Sequence, residues 1–117
     1  MPKPLPVIDV SSPICCAPIG AGPVAEDDAV ALALRLKALA DPVRIRLLSL
    51  LMGSVRGEIG AGALAEAVGV SAATASHHLA QLRNAGLVDS QRRGVHVFYR
   101  AEKDNLEALR TVLATCC

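Results

Sequence analysis

The sequence predicts a mainly α-helical domain that carries a small β-hairpin, and three observations predict it. The apolar residues are Leu, Val, Ile and Ala, with one Phe, one Tyr and no Trp, which suits packed helices better than a β-sandwich. Leucines recur at helical spacing through residues 25–84, between Asp-Pro, Ser and Gly punctuation. Only residues 87–91 and 95–100 turn β-rich, on either side of Arg92-Arg93-Gly94. A chain of 117 residues is enough for one domain with a modest core.

Residues 1–24 hold six of the seven prolines, so no helix is expected there. They read as an extended, tethered or disordered arm carrying Cys15-Cys16, ahead of a domain over residues 25–117. The spacing then predicts a first helix over 25–40. Glu26, Asp27 and Asp28 suit its N-terminus, and Leu32, Leu36 and Leu39 follow a helical repeat. Val30, Leu34 and several alanines make almost its whole surface apolar. Such a helix is buried on more than one side, here by the domain and by a second subunit. Asp41 as N-cap and Pro42 at the first helical position restart the chain. A second helix is predicted to about Met52, with Ile45, Leu48, Leu51 and Met52 inward and Arg44 and Arg46 more exposed. Gly53 can stop it, and the glycine-rich residues 53–62 read as a loop.

Two short helices follow. One covers Ala63–Val68 and ends at Gly69; the next is capped by Ser71, runs to about Asn84 and stops at Gly86. A short helix, a tight turn with glycine and a second, Ser-capped helix form a helix-turn-helix pattern. Ala75, Leu79 and Leu82 share one face of the second helix. The opposite face, with Ala73, Thr74, His77, Gln81 and Asn84, carries no acid, as entry into a DNA major groove requires. The β-rich segments form a two-stranded hairpin with a basic tip, a wing. A last helix over 103–115 puts Leu106, Leu109, Val112 and Leu113 on one stripe.

Net charge is only +1, but its distribution is uneven. Residues 71–100 carry Arg83, Arg92, Arg93 and Arg100 against the single acid Asp89, and all three histidines, His77, His78 and His96. A local basic patch on a nearly neutral protein is the footprint expected of a small reader of double-stranded DNA, and charge alone equally fits an ordinary solvated surface. The candidate contacts are Ser71, Ala73, Thr74, Ser76, His77 and Gln81 from the helix, with Arg92, Arg93 and His96 from the wing. His78, on the flank of that face, is expected to be a hydrogen-bonded packing residue.

The four cysteines are two adjacent pairs, Cys15-Cys16 and Cys116-Cys117. A trans peptide holds neighbouring Cα atoms about 3.8 Å apart, shorter than a disulfide prefers. Each pair is better suited to clamping a soft ion: As(III), Sb(III), Cd(II), Hg(II), Cu(I) or, with four thiolates, Zn(II). A redox or persulfide sensor uses the same thiols. A thiol enzyme is not expected, since neither Cys-x-x-Cys nor a phosphate loop opening on a cysteine is present. A pure metal carrier would need neither the Ser71-capped helix nor the wing. The first residues lack a basic stretch followed by an apolar one, and no apolar run has membrane-spanning length. The expected compartment is a reducing cytoplasm.

The segment Lys37-Ala38-Leu39-Ala40-Asp41-Pro42-Val43-Arg44-Ile45-Arg46-Leu47-Leu48, the stretch from Ser71 through Ser76-His77-His78-Leu79, and Leu82-Arg83-Asn84-Ala85-Gly86-Leu87-Val88 carry a resemblance. With Arg92-Arg93-Gly94 and Tyr99-Arg100, the chain resembles the ArsR/SmtB family of metal-responsive repressors over residues 27–113. The resemblance implies a winged-helix homodimer joined by its first and last helices, through Leu32, Leu36, Leu106, Leu109 and Leu113. It implies that the ligand-free dimer holds operator DNA and the liganded dimer releases it. Where many arsenic sensors of the family carry Cys-x-Cys at the start of the third helix, this chain has Gly60 and Gly62. Where zinc sensors place Asp, His and Glu on the last helix, it has Glu102, Asp104 and Glu107 but no His. Some members carry a Cys-Cys pair in the arm as part of a three-thiol arsenite site, and Cys15-Cys16 is similar. The expected inducer is therefore As(III) or Sb(III), with Cys116 or Cys117 as third thiolate.

Overall fold

The computed structural model describes Ile19 and residues 22–113. The order is α1 (Glu26–Leu39), α2 (Pro42–Met52), β1 (Ile59–Gly60), α3 (Ala61–Val68), α4 (Ala72–Asn84), β2 (Val88–Arg93), β3 (His96–Ala101) and α5 (Lys103–Leu113). Local chemistry sets most of these ends. The Asp41 side chain accepts hydrogen bonds from the N–H groups of Val43 at 2.8 Å and Arg44 at 3.2 Å, so the start of α2 is capped. Gly69, at φ 74°, closes α3: its left-handed backbone lets the Val70 N–H reach back to the Ala65 carbonyl at 3.1 Å. The Ser71 Oγ then accepts from the Thr74 N–H at 3.1 Å and opens α4.

The core lies where α2, α3 and α4 meet the sheet. Leu47, Leu51, Leu64, Leu79, Leu82 and Leu87 are all buried to 1% exposure or less. Burying each leucine is worth about 1.5–3 kcal/mol, which makes this leucine cluster the principal anchor of the two helices of the turn. Asn105 is buried with its amide engaged: Nδ2 donates to the Gly86 carbonyl at 2.8 Å, pinning α5 to the turn after α4. Arg35 on α1 is also buried; its Nη1 donates to the Ala31 carbonyl at 3.1 Å, and burial pulls its pKa below the ordinary arginine value.

Four expectations are corrected. Ile45 and Met52 are 54% and 46% exposed rather than inward, because the buried stripe of α2 runs through Leu47 and Leu51. The glycine-rich loop contains strand β1, and α3 starts two residues early, at Ala61. The wing is therefore part of a three-stranded antiparallel sheet in the order β1-β3-β2, with Ile59 opposite Tyr99 and Val88 opposite Ala101. The hairpin turn is not Arg92-Arg93-Gly94. Arg92 and Arg93 are the last residues of β2, paired with Val97 and His96, and Gly94-Val95 makes the turn. Gly94 takes φ 64° at the first turn position, as a type II′ hairpin demands.

Among the described residues no helix is long and apolar enough to cross a membrane. Residues 1–18, 20–21 and 114–117 lie outside the described residues, and with them most of the expected arm over 1–24 and the predicted sites at Cys15, Cys16, Cys116 and Cys117.

Candidate nucleic-acid interface

Helix α4 has two distinct faces. Ala75, Leu79 and Leu82 are sunk in the core, while Ala73, Thr74, Ser76 and His77 are exposed and Gln81 is half-buried. The N-terminal turn is further ordered by the Ser71 hydroxyl, which donates to the Thr74 Oγ1 at 2.9 Å. The outer face therefore offers hydroxyls, an imidazole and an amide, on a helix without a carboxylate. His78 turns the other way. Its Nδ1 accepts from the Arg44 Nε at 3.1 Å and lies 3.9 Å from the Asp41 Oδ1, which makes it a packing residue between α4 and α2. Partial burial alone would raise the Asp41 carboxyl. The N–H groups of Arg44 and Val43, with the charge of Arg44, more than offset that and hold it below its ordinary value.

The wing places its cations unequally. Arg100 pairs with Asp89 at 2.9 Å, directly opposite in the sheet register. Arg93 makes a two-pronged pair with Glu58, at 2.6 and 2.8 Å, and its guanidinium lies 4.7 Å over the Phe98 ring. The hydrogen bond from Arg93 keeps the Glu58 carboxyl below its usual range, and the same bond pushes the Arg93 pKa up. Two arginines of this surface stand without an acidic partner among the described residues. Arg83 at the end of α4 donates to the Ser90 hydroxyl at 3.2 Å, and Arg92 donates to the Gly94 carbonyl at 3.2 Å. His96 is exposed opposite Arg93. The sequence reading missed the Glu58 pairing, since nothing local announced that residue 58 would lie beside the wing. It also passed over Arg83, which the same uneven charge count contained.

Gly60 caps α3 and Gly62 stands in its first turn, so this position bears no side chain able to ligate. Among the described residues no three His, Cys, Asp or Glu side chains gather to hold a metal ion. The expected interface leucines divide into three sets by burial. Leu32 and Leu109 are already buried within the single chain, Leu106 is half-buried, and Leu36 and Leu113 are 39% and 46% exposed.

A family model described as a helix-turn-helix domain matches residues 39–91. The chain is 39% identical over 80 residues to the HTH-type transcriptional regulator YgaV of Escherichia coli K12, covering 68% of this chain and 76% of that one. Its fold is similar to the solution structure of a homodimeric winged helix-turn-helix DNA-binding domain from Mycobacterium bovis, described as a possible ArsR-family regulator. The TM-score is 0.63 at 34% identity, over 79% of this chain and 85% of that one. A crystal structure described as a possible transcriptional regulator for arsenical resistance matches at TM-score 0.59 and 36% identity, over 65% and 76% of the two chains.

Proposed function

Because the chain belongs to the winged helix-turn-helix transcriptional regulators related to the ArsR/SmtB superfamily, we propose that it is a homodimeric repressor, released from its operator when As(III) or Sb(III) binds its cysteines. It is a regulator and not an enzyme. The observation that carries the DNA reading is the exposed, acid-free face of α4, standing on a leucine core, with Arg83 at its end and Arg92 of the adjoining wing both without an acidic partner among the described residues. Thr74, Ser76 and His77 read base edges. Ser71, Ala73 and Gln81 flank them, and Arg92 and His96 lie along the phosphates. Arg93 joins them only by leaving Glu58. Two copies associate through α1 and α5, with Leu36 and Leu113 on the open side and Leu32 and Leu109 behind them.

The inducer part rests on the cysteine pairs and on the similarity to a protein described as a possible transcriptional regulator for arsenical resistance. Residues 1–24 act as an arm whose Cys15 and Cys16 supply two thiolates and whose third comes from Cys116 or Cys117. Ligand and DNA must then oppose one another mutually, each weakening the other by the same factor.

The test is a gel shift of the reduced, full-length chain on DNA from its own promoter, with arsenite, antimonite and a panel of soft metal ions. Release by arsenite at one equivalent per subunit is expected. Cys15→Ser and Cys16→Ser each keep operator binding and abolish release. Release by oxidants or persulfide, without stoichiometric arsenite binding, replaces the metalloid sensor with a thiol redox sensor. Normal release from both arm variants removes the sensing site.

A further inference from the structure

Two side-chain hydrogen bonds tie α4 to other elements among the described residues: Arg83 to Ser90 near its C-terminal end, and Arg44 to His78 at its middle. The remainder of its footing is apolar and without direction. Leu79, Leu82 and Ala75 fix how deep the helix sits, but leucine contacts tolerate a helix sliding or turning slightly about its axis better than a hydrogen bond does. The Arg44–His78 bond is also placed where it matters, one residue from His77 and two from Ser76 on the reading face. The His78 side chain is only 14% exposed, so it is set against α2 rather than offered to solvent.

The chemistry of the contact is specific. Arg44 can only donate, so the His78 Nδ1 must be bare and its ring proton must sit on Nε2. The Asp41 Oδ1, 3.9 Å away, is engaged with the N–H groups of Val43 and Arg44. Asp41, Arg44 and a neutral His78 form a cluster with no net charge, which lowers the cost of half-burying it. The titratable and charged groups facing the ring are Asp41 and Arg44 from the start of α2 and His77 on α4 itself, 5.8 Å away between ring centres. Helices α1 and α3 and strand β2 also pack on α4, and among the described residues the hydrogen bond and ion pair of this ring are those with Arg44 and Asp41.

Its position in the chain gives the cluster a second property. Only Ala40 and Asp41 separate the end of α1 from α2. A shift of α1, which the proposed subunit interface would transmit, must carry Asp41 and Arg44 with it and pull on His78.

We propose that His78 is a positioning residue for operator reading: by accepting from Arg44 it fixes the angle at which α4 presents Thr74, Ser76 and His77, and it couples that angle to the α1–α2 junction. This rests on the DNA-reading function proposed above. The experiment compares affinity for a promoter duplex with affinity for a scrambled duplex of equal length, using the full chain and fluorescence anisotropy. His78→Leu fills the same space without an acceptor, and the promoter-to-scrambled preference is expected to fall on the order of tenfold, with scrambled-duplex affinity unchanged. His78→Asn, whose Oδ1 sits near the position of Nδ1, restores the preference. Arg44→Ala breaks the bond from the α2 side and must reproduce the effect even if His78→Leu does not fold, and the double variant must be no worse than either single one. An unchanged preference in His78→Leu overturns the proposal. So does an Asn variant as impaired as Leu, or an Arg44→Ala that weakens both duplexes equally and so marks a phosphate contact. A wild-type chain with no promoter preference at all would remove the DNA-reading function, and this inference with it.

Discussion

Helix α4 and the β2–β3 wing both carry polar side chains outward, yet different forces hold them. The helix stands on Leu79 and Leu82, which have no exposed surface, and is capped at Ser71. The outer part of the wing is fixed by pairs at the protein surface: Arg93 with Glu58, and Arg100 with Asp89. Buried leucines contribute a few kcal/mol each and are indifferent to salt, whereas exposed ion pairs contribute roughly 0–1 kcal/mol and are screened. The two regions should therefore fail separately. A reader that needs one fixed element for bases and one adaptable element for the backbone gains from that division, because phosphate contacts tolerate more play than base contacts.

The largest effect tests the helix side. Leu79→Ala or Leu82→Ala removes a leucine with no exposure, and a destabilisation of about 2–5 kcal/mol is expected in urea denaturation. A marginal domain would then forfeit specific and non-specific DNA binding together. A change below about 1 kcal/mol would mean that α4 settles elsewhere and that the comparison with the wing is wrong.

Next come the side chains that would meet DNA. Thr74→Ala and His77→Ala should each weaken operator binding by roughly 1–3 kcal/mol where the side chain reads a base edge, with little change on scrambled DNA. Arg92→Ala should do the reverse. Affinity falls for every sequence alike, and the slope of log affinity against log salt becomes shallower by about one. If Arg92→Ala changed sequence preference, the wing would be reading bases and the division of labour would disappear.

The two regions also differ in how far their sequence announced them. The helix-turn-helix was legible because its signals are local. Ser71, Gly69 and the spacing of Ala75, Leu79 and Leu82 are each decided within a few residues, and the helix forms at Ala72–Asn84 as they indicate. The neighbouring α2 was legible in its ends but only partly in its face: Leu51 is buried as expected, whereas Ile45 and Met52 are exposed. A helix with Ile45, Leu47, Leu48, Leu50, Leu51 and Met52 is apolar in too many directions for period alone to choose, and packing chose Leu47 and Leu51. The wing was legible as a hairpin but not in its third strand. Ile59-Gly60 is two residues long and has no pattern of its own; it becomes a strand only because β3 lies beside it. For the same reason Glu58 could not be foreseen as the partner of Arg93, a pairing across 35 residues of sequence.

The smallest effect probes that pairing and sharpens the comparison most. The Glu58 carboxyl is depressed chiefly by its hydrogen bond from Arg93, against a smaller opposing cost of burial. A depressed carboxylate contributes stability above its unfolded-state pKa and loses it as pH falls through the lower folded value. At neutral pH the bridge is therefore fully formed, and acid releases it. The protection of the Arg93 and His96 amides, measured against their intrinsic exchange rates at each pH, should fall over that acid range while the amides of Leu79 and Leu82 stay protected. Glu58→Gln should abolish the acid step and leave the global unfolding midpoint nearly unchanged. It should also free the Arg93 guanidinium at neutral pH. If Arg93 then reaches phosphate, affinity for every duplex rises and the salt slope steepens by about one. If the slope does not change, Arg93 remains held over Phe98, and among the two β2 arginines Arg92 is the one that meets the backbone.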